Sequence, residues 1–152
     1  MTAGESHATG APGAGGGPRP DVPSLHVARV VHADPAAVYD YAVDPDHLPR
    51  WAAGLASGPV SRDGDDLVLD SPMGRVRVRF VARNDLGVLD HDVTLPDGTV
   101  VTNPMRVLAH PDGAEVVLTV RGTGMTDAQL AQDAALVAAD LDALAAQVEA
   151  RR

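Results

Sequence analysis

The sequence predicts an α+β domain in which a curved antiparallel sheet closes around one long C-terminal helix. Three observations carry that prediction. One amphipathic pattern runs from about Thr126 to Val148. Turn signals recur through the middle of the chain and separate segments rich in Val and Leu. Two helix starts, Asp34-Pro35 and Asp44-Pro45, stand between the first strand pattern and those turns. A small domain built from one sheet and one long helix has room for a ligand between them, so the sequence points to a pocket before it points to any chemistry.

With 152 residues, the chain fits one domain with a real core. Residues 1–22 are mostly Gly, Ala, Pro, Ser and Thr, with no large apolar residue after the initial Met until Val22, and read as a tail that cannot offset its ordering entropy. The domain is expected over residues 23–152. The glycines of the tail follow no strand and precede no Gly-Lys-Ser/Thr, so they are not a phosphate loop. A net charge of −9 and twelve scattered arginines leave no basic stripe for nucleic acid. The absence of cysteine excludes disulfides, thiolate nucleophiles and zinc–thiolate sites. No apolar run approaches the roughly 20 residues of a membrane span. The expectation is a soluble cytoplasmic protein with no cofactor, of an oligomeric state the sequence leaves open.

The first strand is expected over Leu25–Ala33, where Leu25, Val27 and Val31 alternate onto one face. Asp34 then caps a helix with Pro35 at its first position, and Val38, Tyr39, Tyr41 and Ala42 supply its apolar surface. A second short helix runs from Asp44-Pro45 through Leu48 to Trp51. Turns follow at Asp63-Gly64, Ser71–Gly74, Asn84–Gly87, Pro96–Gly98 and Pro111–Gly113, which together predict an antiparallel meander. Its clearest strand is Arg75–Arg83, where Val76, Val78 and Phe80 alternate with arginines. The closing helix starts at a capping box, Thr126 with Gln129. Leu130, Ala134, Val137, Leu141, Leu144 and Val148 form its apolar stripe, with Asp127, Asp133, Asp140 and Asp142 in other directions. At 1.5 Å per residue it spans roughly 35 Å, enough to cross a small sheet.

The order of elements and several strings resemble the helix-grip, START-like (SRPBCC) superfamily of polyketide cyclases/dehydratases and lipid-transfer proteins. These strings are His32-Ala-Asp-Pro-Ala-Ala-Val-Tyr-Asp-Tyr, Leu48-Pro-Arg-Trp51, Ser71-Pro-Met-Gly74, Val88-Leu-Asp-His-Asp92 and Pro104-Met-Arg-Val107. The resemblance covers residues 25 to 150. It implies two short helices after the first strand, a six-strand meander, and a cavity between the sheet's concave face and the last helix.

Within Val88–Leu95, alternation places Leu89, His91, Val93 and Leu95 on one face and Asp90, Asp92 and Thr94 on the other. If Arg83 pairs with Val88, Phe80 lies opposite His91 and Arg79 opposite Asp92. A strand sends Asp90 and Asp92 away from His91, so the three cannot converge on a metal, and the other histidines lack ligand spacing. No metal site is expected. His91 reads either as a core histidine satisfied by a neighbour or as a polar contact and general acid or base in the pocket.

Asn103 and Arg106 depend on the Pro96–Gly98 hairpin. A three-residue loop pairing Leu95 with Thr99 turns Val101, Asn103, Met105 and Val107 inward, whereas a two-residue loop turns Thr102, Arg106 and Leu108 inward. The first buries more apolar surface and is favoured. Trp51, Phe80, Met105, Val137 and Leu141 complete the candidate ligand contacts, and the same residues fit plain core packing. With few aromatics, the lining favours a lipid-, isoprenoid- or polyketide-like molecule. No nucleophile elbow or lysine is present, which leaves His91, with Arg106 polarising a carbonyl, as the machinery of a cyclase or dehydratase. The expected function is binding of a small hydrophobic molecule. The alternatives are that cyclase or dehydratase, and a protein-interaction module of the chaperone-activator type.

Overall fold

The computed structural model describes residues 21–151, so the expected tail lies outside the described residues except for its last two positions. The elements run β1 (Ser24–Val31), α1 (Pro35–Val43), a 3₁₀ turn (Pro45–His47) and α2 (Leu48–Trp51). They continue with β2 (Val60–Asp63), β3 (Asp66–Ser71), β4 (Gly74–Phe80), β5 (His91–Thr94), β6 (Val100–Asn103), β7 (Met105–His110), β8 (Gly113–Arg121) and α3 (Asp127–Glu149).

Local chemistry sets both ends of the helical segments. The Asp34 carboxylate accepts from the backbone N–H of Ala36 and that of Asp44 from Asp46, with a proline opening each segment. At α3, Thr126 and Gln129 form the reciprocal capping box.

All strand pairs are antiparallel, in the orders β1-β8-β7 and β2-β3-β4-β5-β6. Pro104 alone separates β6 from β7. His91 faces Asn103 across β5 and β6, and Val88 bridges Arg106 at the same offset, so the two groups of strands are halves of one curved sheet. The seam has a physical cause. Proline has no N–H to give the ladder, and the next N–H, that of Met105, goes to the Asp90 carboxylate at 2.8 Å instead of a backbone carbonyl. Counted as one broken strand, β6 and β7 restore the six-strand meander after the helices. The same seam shortens the expected Val88–Leu95 strand to β5.

The turns match their sequences. Leu95 N–H bonds Thr99 C=O and Gly98 N–H bonds Leu95 C=O, which makes Pro96–Gly98 the three-residue loop. At Asn84–Gly87, the Asn84 carboxamide oxygen accepts from the N–H groups of Leu86 and Val88. Gly87 has φ +72°, and a Cβ there would lie 2.1 Å from the Val107 carbonyl oxygen, so both conformation and space require glycine.

One cluster of buried side chains forms the core, drawn from the concave face, both helical segments and α3. The helix packs most closely on β1, β8 and α2. It presents Leu130, Leu141, Leu144 and Val148 as its buried residues. This is the helix-grip arrangement that the resemblance implies. No helix among the described residues is long and apolar enough to cross a membrane.

Candidate functional site

The concave face can be read row by row from the strand register. Leu67, Val78, Val93 and Val101 form one row, and Phe80, His91 and Asn103 the next. Met105, Leu118 and Val27 continue beyond the seam. Leu67, Val78, Val93 and Met105 are buried. Phe80 and Asn103 are half-buried, and Val101 is 42% exposed, so this face is least covered at β6.

His91 is the polar side chain set into that face, 7% exposed, with its ring 4.8 Å from that of Phe80. Its Nδ1 lies 2.9 Å from the Leu89 carbonyl oxygen. A carbonyl only accepts, so Nδ1 carries the proton and donates. Burial pushes the imidazole pKa below its usual value, against smaller upward effects from the Leu89 carbonyl, Asp90 and Asp92. The ring is therefore neutral near pH 7 with a lone pair on Nε2, and that atom has no hydrogen-bond partner among the described residues. The arrangement supplies one acceptor, or one weak base, in aliphatic surroundings.

Four of the expected contacts are enclosed: Trp51, His91, Met105 and Leu141. Phe80, Asn103 and Val137 are half-buried. Arg106 alternates to the opposite face from Met105 and is ion-paired with Asp90. It does not share the interior with His91, because the three-residue hairpin loop sets the register that turns it outward.

Asp140 corrects the expectation that the α3 aspartates point away from the apolar stripe. It follows Val137 by three residues and precedes Leu144 by four, which places it on the flank of the stripe, where the loop after α2 packs. A Cβ on Gly54 would lie 3.3 Å from an Asp140 carboxylate oxygen. Burial raises its pKa to about 6, against the opposing backbone N–H groups of Gly54 and Ala53. Helical periodicity alone left the edge of the stripe undefined, and the packed loop decides it.

Two surface hollows flank α1 instead of the concave face. One, of about 700 Å³, lies between Tyr41, His47, Val148 and Arg151. The other, of about 450 Å³, lies between Tyr39, Leu86 and Leu108. None of the eight expected contacts lines either. Between the sheet and α3 the buried side chains form one apolar cluster. No cluster of potential metal ligands occurs among the described residues.

A curved sheet gripping a long helix over an apolar interior defines the helix-grip class of folds, and comparison with known proteins specifies it further. Residues 23–149 match the family described as polyketide cyclase / dehydrase and lipid transport, and the chain belongs to that family. No curated protein sequence matches it. Among solved structures, it is similar to protein CV1439 from Chromobacterium violaceum, with 18% identity, a TM-score of 0.61, and coverage of 83% of this chain and 97% of that one. It is similar to protein MLL2253 from Mesorhizobium loti, with 12% identity, a TM-score of 0.65, and coverage of 85% and 98%. It is also similar to DynU16, a protein in the dynemicin biosynthetic locus, with 17% identity and a TM-score of 0.67, covering 86% of this chain but 48% of that one. These likenesses establish the shared fold.

Proposed function

We propose that the chain binds a small hydrophobic molecule, of lipid, isoprenoid or polyketide character, between the concave face and α3. The observation that carries this reading is His91: a neutral imidazole with a free Nε2, in an aliphatic face, beside the half-exposed Phe80, Val101 and Asn103 at the least covered edge. Aliphatic walls supply affinity in proportion to the apolar area they remove from water, while one polar atom fixes orientation. The family description, which joins lipid transport to cyclase and dehydrase chemistry, agrees with it. Native mass spectrometry of the freshly purified chain, followed by organic extraction, tests the reading directly. A bound lipophile in stoichiometric amount is the expected result. A clean apo mass, together with no displacement of an apolar fluorescent probe by any lipophile, rejects it.

The same atom favours a second reading, cyclisation or dehydration of the bound molecule with His91 as general acid or base. With Nδ1–H held by Leu89, Nε2 is the nitrogen able to remove a proton from a bound carbon acid and return it elsewhere. His91→Gln should then abolish turnover and leave ligand binding within about fivefold, since a lost hydrogen bond accounts for about 1 kcal/mol. Unchanged turnover in that variant rejects the catalytic role.

A further inference from the structure

Trp51 carries the one buried side-chain nitrogen or oxygen among the described residues that has no hydrogen-bond partner, its indole Nε1. The side chain is 4% exposed and belongs to the same buried cluster as the concave face. An indole N–H can only donate, and leaving a buried donor unpaired is unfavourable enough that native proteins rarely do it. An internal water would need two to four polar partners. The buried polar side chains available are His91 and Thr119, and Thr119 lies on the outer face, hydrogen-bonded to His26 at 2.9 Å. Trp51 Nε1 is thus the one fully buried side-chain polar atom among the described residues that is left unpaired.

Resting on the binding reading above, we propose that Trp51 selects the ligand class: a lipophile bearing a hydrogen-bond-accepting oxygen, such as a ketone, ester or alcohol, whose oxygen accepts from Nε1, in preference to a plain hydrocarbon. A Phe at position 51 would serve a purely structural role without the unpaired N–H. Such a donor has a purpose only when its acceptor arrives with the ligand.

Because Trp51 is the only tryptophan, its indole N–H gives a single resonance in a ¹⁵N-labelled sample of the full chain. The probes are 2-decanone and its shape mimic 2-methyl-1-decene, in which a methylene replaces the carbonyl oxygen. Binding is read by displacement of N-phenyl-1-naphthylamine. The ketone should shift the indole proton downfield, slow its exchange with solvent, and bind about fivefold to tenfold more tightly than the alkene, as expected for one buried hydrogen bond. In Trp51→Phe that preference should vanish while alkene affinity is kept. If both compounds displace the probe equally and the indole resonance does not respond to the ketone, the selection by Trp51 is wrong and the binding reading stands. If neither displaces it, both fail. The comparison of two ligands on the unaltered chain decides the matter even if the variant does not fold.

Discussion

On the convex side of β3 and β4, Asp66 accepts from Arg77 and Arg79, and Asp63 accepts from Arg77. In the adjacent pair of strands, Thr102 donates to Asp92. On the concave side of the same strands, His91 donates once and keeps Nε2 free, and Trp51 on α2 behind them has no partner at all. The outer polar groups satisfy one another in water, where their pairing adds little to stability. The inner ones are few, desolvated and incompletely paired, which is costly in a fold that has only to be stable. Unequal satisfaction across one sheet therefore separates groups that serve solubility from those reserved for a ligand.

The largest effect should come from breaking the inner face itself. Leu144 is fully buried, and Leu144→Ala should lower unfolding free energy by about 2–5 kcal/mol in urea titration, through lost transfer energy and a cavity. His91→Ala should come next, at about 1–3 kcal/mol, because it leaves the buried Leu89 carbonyl without its donor.

His91 also gives the comparison a pH signature. Its pKa is depressed by burial, so on acidification the unfolded chain takes up the proton first. Its contribution to stability is complete above the ordinary histidine value of about 6.5 and is lost as pH falls from there toward the folded pKa. His91→Gln should flatten that acid limb, and an unchanged limb would show that His91 is not desolvated as described.

Asp140 should behave in the opposite sense. Its folded pKa of about 6 lies above that of an unfolded aspartate, so stability falls as pH rises from about 4 to about 6 and is constant beyond. Two pKa units correspond to at most about 3 kcal/mol, and the partial exposure of the side chain reduces this to about 1 kcal/mol. Asp140→Asn, which keeps an oxygen for the Gly54 and Ala53 N–H groups, should raise Tm by about 3 °C at pH 7.5 and leave it unchanged at pH 4. An equal rise at both pH values would contradict a titrating carboxyl.

What was legible in the sequence follows the range of the forces involved. The capping box, the Pro96–Gly98 loop and the placement of Phe80 opposite His91 depend on residues near one another in the chain or on the strict alternation of strands. The outer partner of Arg79 was only half legible. Asp92 does lie opposite it in the register, yet the ion pair forms with Asp66, which the β3–β4 register places directly opposite Arg79 on the other neighbouring strand, while Asp92 accepts from Thr102. The burial of Asp140 and the unpaired Trp51 Nε1 depend on which loop packs against which helix flank, and no local pattern encodes that. The seam at Pro104 was visible as a residue, but its consequence, the capture of the Met105 N–H by Asp90, arises only once both strands are in place.

The smallest effect belongs to the outer face and sharpens the contrast most. Arg79 is 61% exposed and pairs with Asp66, which also holds Arg77. The Arg79 and Arg77 guanidinium groups hold the Asp66 carboxyl below its ordinary pKa, so this pairing is present above the carboxylate range and lost on acidification. Removing Arg79 leaves Asp66 hydrogen-bonded to Arg77 and open to water, and nothing buried becomes unpaired. Arg79→Ala should therefore change Tm less than Asp140→Asn does, and the difference should shrink further at high salt, where exposed pairs are screened. It should also leave ligand binding untouched, because its side chain lies on the opposite face from His91. A loss of ligand affinity in Arg79→Ala would mean that the two faces are coupled through β4, and that polarity on the outer side serves the interior as well.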